Sequence, residues 1–283
     1  MKKILVPYDF SDVAKQALNF AADLSKKSSG CSVTLINVIE QPTPDSIHAM
    51  GVIDYDPMEV VYIKQMIITM EGKMKDIMAD ETYKDIDLQY KIVLGQPFKE
   101  ISNVITTDGV ELVVMGTSGT SGAEEFLVGS NAERMVRFSK CPVISISGAT
   151  SVDDIQDIVF ASNFHDVPES FVNHVKRLQS VFDAKLKIVK INTPSSFTST
   201  RHDMKQMTEF VESAMIKNYE LEIYNHSNEE DGIIAYAEDI GADLIALGTK
   251  QRRGVGHFIN GSIAEDVVNH SKVPVWTFGL DAE

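Results

Sequence analysis

The feature that most constrains this chain is that it repeats itself. Leu112-Val113-Val114-Met115-Gly116 is laid out again as Leu244-Ile245-Ala246-Leu247-Gly248, an offset of 132. The same offset carries Gly129-Ser130 onto Gly261-Ser262, Ala132-Glu133 onto Ala264-Glu265, and Pro142-Val143 onto Pro274-Val275. Near the start of each half the offset is 154, where Ile4-Leu5-Val6-Pro7-Tyr8-Asp9-Phe10 faces Ile158-Val159-Phe160-Ala161-Ser162-Asn163-Phe164. The first half therefore holds about 22 extra residues, which fall between its second and third strands. Units of this size are duplicated domains, because solenoid repeats are shorter. A chain of 283 residues has room for two cores. The expected division is 1–148 and 155–283, with Gly148–Asp154 as a short linker.

Each half alternates apolar runs with segments of helical period. The first half predicts strands at Lys3–Pro7, Val33–Ile39, Leu88–Val93, Glu111–Met115 and Pro142–Ile146. Helices are expected at Ser11–Lys27, Pro57–Met78, Pro97–Thr107 and Ser130–Ser139, with Gln41–Asp56 as a Pro- and Gly-bearing loop. The second half predicts strands near 157–161, 185–191, 220–225, 243–247 and 274–278. Parallel strands need crossover connections, so the alternation implies an α/β fold with helices on both faces of a parallel sheet.

Ligands of open α/β sheets sit beyond the carboxyl ends of the strands. Gly116 stands at such an end, where a glycine would let a ligand approach the backbone, and Gly119 would let the loop turn back. Gly129-Ser130 then opens a helix, whose free N–H groups suit an anion. The Walker A lysine and the G-x-G-x-x-G pattern are both missing. A blander reading fits the same residues: Ser130-x-x-Glu133 and Ser262-x-x-Glu265 have the spacing of capping boxes, and Gly129 that of a turn glycine.

The stretch Lys2–Ala14, the Gly-x₂-Gly-x₉-Gly-Ser spacing of Gly116–Ser130, and the strand entry Cys141-Pro142-Val143 together resemble the universal stress protein family, in two tandem copies over nearly the whole chain. The resemblance implies a Rossmann-like five-stranded parallel sheet in each half. It also implies a bound ATP or AMP in one branch of the family and none in another; the acidic loop Glu124-Glu125 described below favours AMP or a Mg²⁺-bound nucleotide over free ATP. Residue by residue, it implies that Pro7 and Asp9 line the adenosine end and that Val38 offers backbone hydrogen bonds to adenine. Met115 and Gly116 would bound the ribose, and Gly119, Gly129, Ser130 and Asn131 would face the phosphates. It further implies that the halves pair through their last strands as an intramolecular pseudo-dimer. Further self-association of whole chains has no residue pattern behind it.

Two features set the halves apart. The loop between Gly119 and Gly129 holds Glu124 and Glu125 and no Lys or Arg, which disfavours a free triphosphate. In the second half Ala161, Asn163 and Gln251 replace the proline, the aspartate and the middle glycine. Its loop is basic instead, and Lys250, Arg252 and Arg253, with Gly261 and Ser262, form either a second anion site of altered kind or a solvated basic loop. One nucleotide per chain is thus expected, in the first half, under a flap formed by Gln41–Asp56.

Charge and composition exclude other classes. The formal charge of −15 argues against nucleic-acid and anionic-membrane binding, and no apolar run has membrane-spanning length. Cys31 and Cys141 lack metal or redox spacing and read as small buried side chains in a reducing cytoplasm. No histidine pattern suggests a metal site. The motif carries no nucleophile paired with a histidine and no evident general base for water. The reading is a nucleotide-binding regulatory protein with an unidentified protein partner. A non-binding interaction scaffold and a slow ATPase are the alternatives.

Overall fold

The computed structural model describes residues 1–28, 30–40, 57–117, 129–249 and 262–280. The first half runs β1 (Lys3–Pro7), α1 (Asp12–Lys27), β2 (Ser32–Ile39), α2 (Pro57–Met78), β3 (Asp87–Leu94), α3 (Pro97–Asp108), β4 (Leu112–Gly116), α4 (Ser130–Phe138) and β5 (Val143–Ile146). The second repeats the order: β6 (Asp157–Ala161), α5 (Glu169–Phe182), β7 (Lys185–Asn192), α6 (Thr200–Ser213), β8 (Tyr219–Asn225), α7 (Glu229–Ile240), β9 (Leu244–Thr249), α8 (Ser262–His270) and β10 (Val275–Gly279). The extra length of the first half lies where expected, between β2 and β3, and α2 is accordingly longer than α6. The segment Gln41–Asp56, expected to form a flap, lies outside the described residues.

All ten strands form one sheet in the order β3-β2-β1-β4-β5-β10-β9-β6-β7-β8. Pairing is parallel within each half, as crossover helices require. The centre is different: β5 and β10 run antiparallel, with Ile144 opposite Trp276 and Val143 opposite Thr277. A two-fold-like join of this kind covers two apolar edges that would otherwise be exposed to other chains.

Local sequence explains the helices. Ala14, Ala17, Leu18, Ala21 and Leu24 form one buried stripe of α1. Ser11 caps its N-terminus by accepting the Ala14 amide, and Lys26 and Lys27 sit in its last turn, where the helix dipole favours cations. On this face of the sheet the core is continuous across the halves. Phe20 of α1 meets Phe182 of α5 with ring centroids 6.3 Å apart, and Phe171 meets Trp276 at 5.7 Å. On the opposite face Val136 of α4 packs into the core of the second half, and Arg137 lies 3.6 Å from Glu265 of α8.

The linker is docked rather than loose. Val152 is buried in a short 3₁₀ turn at Val152–Asp154, and Lys27 pairs with Asp153 at 2.8 Å. Cys31 and Cys141 are free thiols, both buried.

Candidate nucleotide cleft

The site is built where β1, β2 and β4 end. After β1 the chain turns sharply: Phe10 adopts a left-handed φ of 68°, uncommon for a bulky residue. The turn is held by the Asp9 carboxylate, whose Oδ1 accepts the Ser11 amide at 3.0 Å and the Ser11 hydroxyl at 2.6 Å. Asp9 therefore positions Ser11, which in turn caps α1. The Tyr8 and Phe10 rings meet edge to face at 5.3 Å, and the Lys73 ammonium lies 5.0 Å from the Phe10 centroid. Burial, then the Asp9 charge, push the Tyr8 phenol up.

At the end of β4 the Thr117 amide donates to Ile146 and the Thr117 carbonyl accepts the Gly129 amide at 2.8 Å. The two ends of the glycine loop are thus pinned together, although Gly119 and the rest of 118–128 lie outside the described residues. Gly129, not Ser130, is the N-cap of α4. Its carbonyl accepts the Ala132 and Glu133 amides, and no side chain caps the helix. The expected Ser130-x-x-Glu133 capping box is therefore absent, because the Thr117 contact places the helix start one residue earlier. The Ser130 and Asn131 amides belong to the first turn, where backbone N–H groups have no intrahelical acceptor. In the second half α8 likewise begins at Ser262 itself.

The two glycines differ in what they are for. A Cβ on Gly116 would lie 2.7 Å from Val13 Cγ1. Close packing of α1 on β4 thus demands that glycine, which also lines the cleft described below. Among the described residues the nearest atom to a Cβ on Gly129 would be the Thr117 carbonyl oxygen at 3.8 Å, and its φ of −63° suits any residue. Neither its conformation nor packing against the described residues demands the glycine at 129.

These elements enclose a cleft of about 430 Å³. Its lining includes Pro7 and Asp9 at the end of β1, Val38 of β2, Met115 and Gly116 of β4, and Gly129, Ser130 and Asn131 at the start of α4. Eight of the nine residues singled out for the first half thus meet at one cleft, and the ninth, Gly119, is not described. Asn37, Glu40, Thr117 and Pro97 also line it and were not among the residues expected there. Asn37 was detectable as a polar residue inside an apolar strand. It is buried and its amide donates to the Tyr8 carbonyl at 2.8 Å, tying β2 to the Asp9 turn. Asp9 and Glu40 are the charged groups among the lining residues, and no Lys or Arg is among them.

The second half keeps part of this frame. Phe164 repeats the left-handed turn at φ 57°, and Asn163 Oδ1 accepts the His165 amide at 3.1 Å. A Cβ on Gly248 would lie 2.7 Å from Leu280, so this glycine too answers to packing. Lys250, Arg252, Arg253 and Gly261 lie outside the described residues, as does the side chain of Ser262. Among the described residues no three His, Cys, Asp or Glu side chains are grouped to hold a metal, and no helix is long and apolar enough to cross a membrane.

Comparison with known proteins agrees with the fold. The chain is 29% identical over 164 residues to a Staphylococcus saprophyticus protein assigned to the universal stress proteins, a match covering 58% of this chain and 93% of the relative. A Methanocaldococcus jannaschii universal stress protein is 26% identical over 162 residues, covering 53% of this chain and 97% of its own length. A universal stress protein from Archaeoglobus fulgidus superposes over 98% of both chains with a TM-score of 0.73 at 20% identity, a likeness of fold. The model of the universal stress protein family matches twice, at residues 1–146 and 155–278. The chain belongs to the universal stress protein family, as a tandem member with two such domains.

Proposed function

We propose that the chain is a regulatory protein that binds one adenine nucleotide in the first-half cleft. The observation that carries this reading is the convergence of Pro7, Asp9, Val38, Met115, Gly129, Ser130 and Asn131 on one cleft at the carboxyl ends of the strands. Its volume falls in the usual range for small-molecule sites, about 300–1,000 Å³. The amides at the start of α4 offer an anion-binding end, and Gly129 leaves its backbone open to close approach. We take 1–148 as the binding unit and 155–283 as its paired copy.

The charges favour few phosphates. The described walls bring two carboxylates and no cation, and the sequence of 118–128 adds Glu124 and Glu125 without a Lys or Arg. AMP is therefore the better ligand, and ATP needs a divalent ion. Such an ion would come with the nucleotide and offset its phosphate charge.

α4 supplies the route from ligand to response. Its first residues line the cleft, while Val136 and Arg137 touch the second half. Ordering of its first turn by a phosphate is felt where the two halves meet. Titration calorimetry with adenosine, AMP and ATP, with and without Mg²⁺, tests the reading. AMP should bind tighter than ATP in the absence of Mg²⁺, and added Mg²⁺ should narrow the gap. No binding of any of the three would refute it.

A further inference from the structure

We infer that the second half carries, in place of the cleft, a built-in plug, the loop 193–198, latched to Glu229 on the α7 side of β7 and anchored by the Lys190–Asp203 pair on the α6 side. The inference rests on the reading of the first-half cleft as the nucleotide site.

Strand register sets the correspondence. Pro7 pairs with Ile36 in the first half, and Ala161 with Val189 in the second. The next residues of β2 and β7 therefore match: Asn37 with Lys190, Val38 with Ile191, Glu40 with Thr193. α3 and α7 are both twelve residues long and both end on a left-handed glycine, so their first residues, Pro97 and Glu229, match as well. In the first half Asn37, Val38, Glu40 and Pro97 all line the cleft.

In the second half Thr193 and Glu229 bond to each other, while Lys190 turns to α6. The Lys190 ammonium donates to the Asp203 carboxylate of α6 and to the Thr198 hydroxyl at 2.9 Å. The Thr198 hydroxyl in turn donates to Asp203 Oδ2 at 2.7 Å. Asp203 is fully buried and Lys190 is 7% exposed. Burial pushes the Asp203 carboxyl up, but its bonds to Lys190 and Thr198 outweigh this and leave it lowered, hence charged. The loop above is tied down at both ends. Thr193 and Ser196 each donate a hydroxyl to Glu229 Oε1 at 3.2 Å, and the Thr198 amide donates to Asn192 Oδ1 at 3.3 Å.

The helix on the other side also closes in. A Cβ on Gly232 would lie 2.6 Å from Ile191 Cγ2. The equivalent fourth residue of α3 is Glu100, which carries a full side chain. A base entering beside Ile191 would have to lift α7 and displace the loop that Thr193 and Ser196 latch to Glu229. The tract Phe197–His202, which matches no motif in the sequence, thereby gains a role: it delivers Thr198 over Lys190.

Two measurements on the full-length chain test the plug. The first is acetylation by acetic anhydride under native conditions, followed peptide by peptide. Lys190 should label at least tenfold more slowly than Lys205, whose side chain is 75% exposed. Labelling of Lys190 at the rate of Lys205 overturns the plug, whether or not any nucleotide binds. The second is hydrogen exchange with and without saturating AMP. Protection is expected at 7–11, 36–40 and 129–132, with none at 189–193 or 226–233. Protection at 189–193 overturns the plug. Absence of protection in both halves would refute the nucleotide reading, while the Lys190 labelling rate still decides whether the second half is closed.

Discussion

Trp276 of β10 lies directly opposite Ile144 of β5 in an antiparallel ladder, and its indole also packs on Phe171 of α5. The residue therefore belongs at once to the strand junction and to the core shared by both halves. Trp276→Ala should cost about 3–5 kcal/mol, the range for removing a buried large aromatic side chain. Because the core is shared, the wild-type chain should lose both halves in one transition under urea, and the variant should unfold earlier. Two well-separated wild-type transitions would contradict this.

The two glycines of the cleft should part company under substitution. Gly116→Ala places a Cβ 2.7 Å from Val13 and should destabilise by about 1–3 kcal/mol, as overpacking does. Gly129→Ala makes only an ordinary contact with the described residues, at 3.8 Å, on a permitted backbone, so its melting temperature should stay within a degree or two. Its affinity for AMP should fall instead, because the added methyl faces the cleft. Thermal melts and AMP titrations on both variants check this; a stability loss at Gly129 equal to that at Gly116 contradicts it.

Asp9 has two tasks that mutation can separate. It holds Ser11, and Ser11 caps α1. Ser11→Ala should cost about 1 kcal/mol, a lost N-cap, while AMP affinity stays within about threefold. Asp9→Ala should cost a similar amount of stability and also lower AMP affinity tenfold or more. If both variants lose affinity alike, the carboxylate serves only the helix start.

His174 should make the junction sensitive to acid. Its ring lies 4.2 Å from that of Phe278, and burial, then the neighbouring Arg177, hold its pKa below the ordinary imidazole value. The folded chain resists a proton that the unfolded chain accepts. The cost is absent well above pH 6.5 and grows as pH falls through that value toward the lower folded pKa. Wild-type stability should thus drop between about pH 7 and pH 5 relative to His174→Gln, with the two profiles running parallel above pH 7. Parallel profiles over the whole range would contradict it.

The architecture was legible in the sequence because duplication shows every element twice. Pro57 marks the start of α2, and the apolar runs at Lys3–Pro7 and 185–191 read as strands from their length alone. What could not be read depends on contacts distant in the chain. The reason for Gly116 lies in Val13, on another element. The N-cap of α4 moved from Ser130 to Gly129 because Gly129 bonds to Thr117 across a loop. Lys190 is a charge inside the strand run Lys185–Asn192 whose partner, Asp203, is on the next helix and cannot be told from the strand alone. The pairing of β5 with β10 followed from family resemblance; two apolar edges by themselves do not say which edge meets which.

The central claim is one adenine nucleotide per chain, in the first half. Native mass spectrometry of the full-length protein with excess AMP counts the ligand directly. The account predicts one AMP on the wild type, one on Lys190→Met with Asp203→Leu, and none on Gly129→Val. Two AMP on the wild type, or one that survives Gly129→Val, would contradict it.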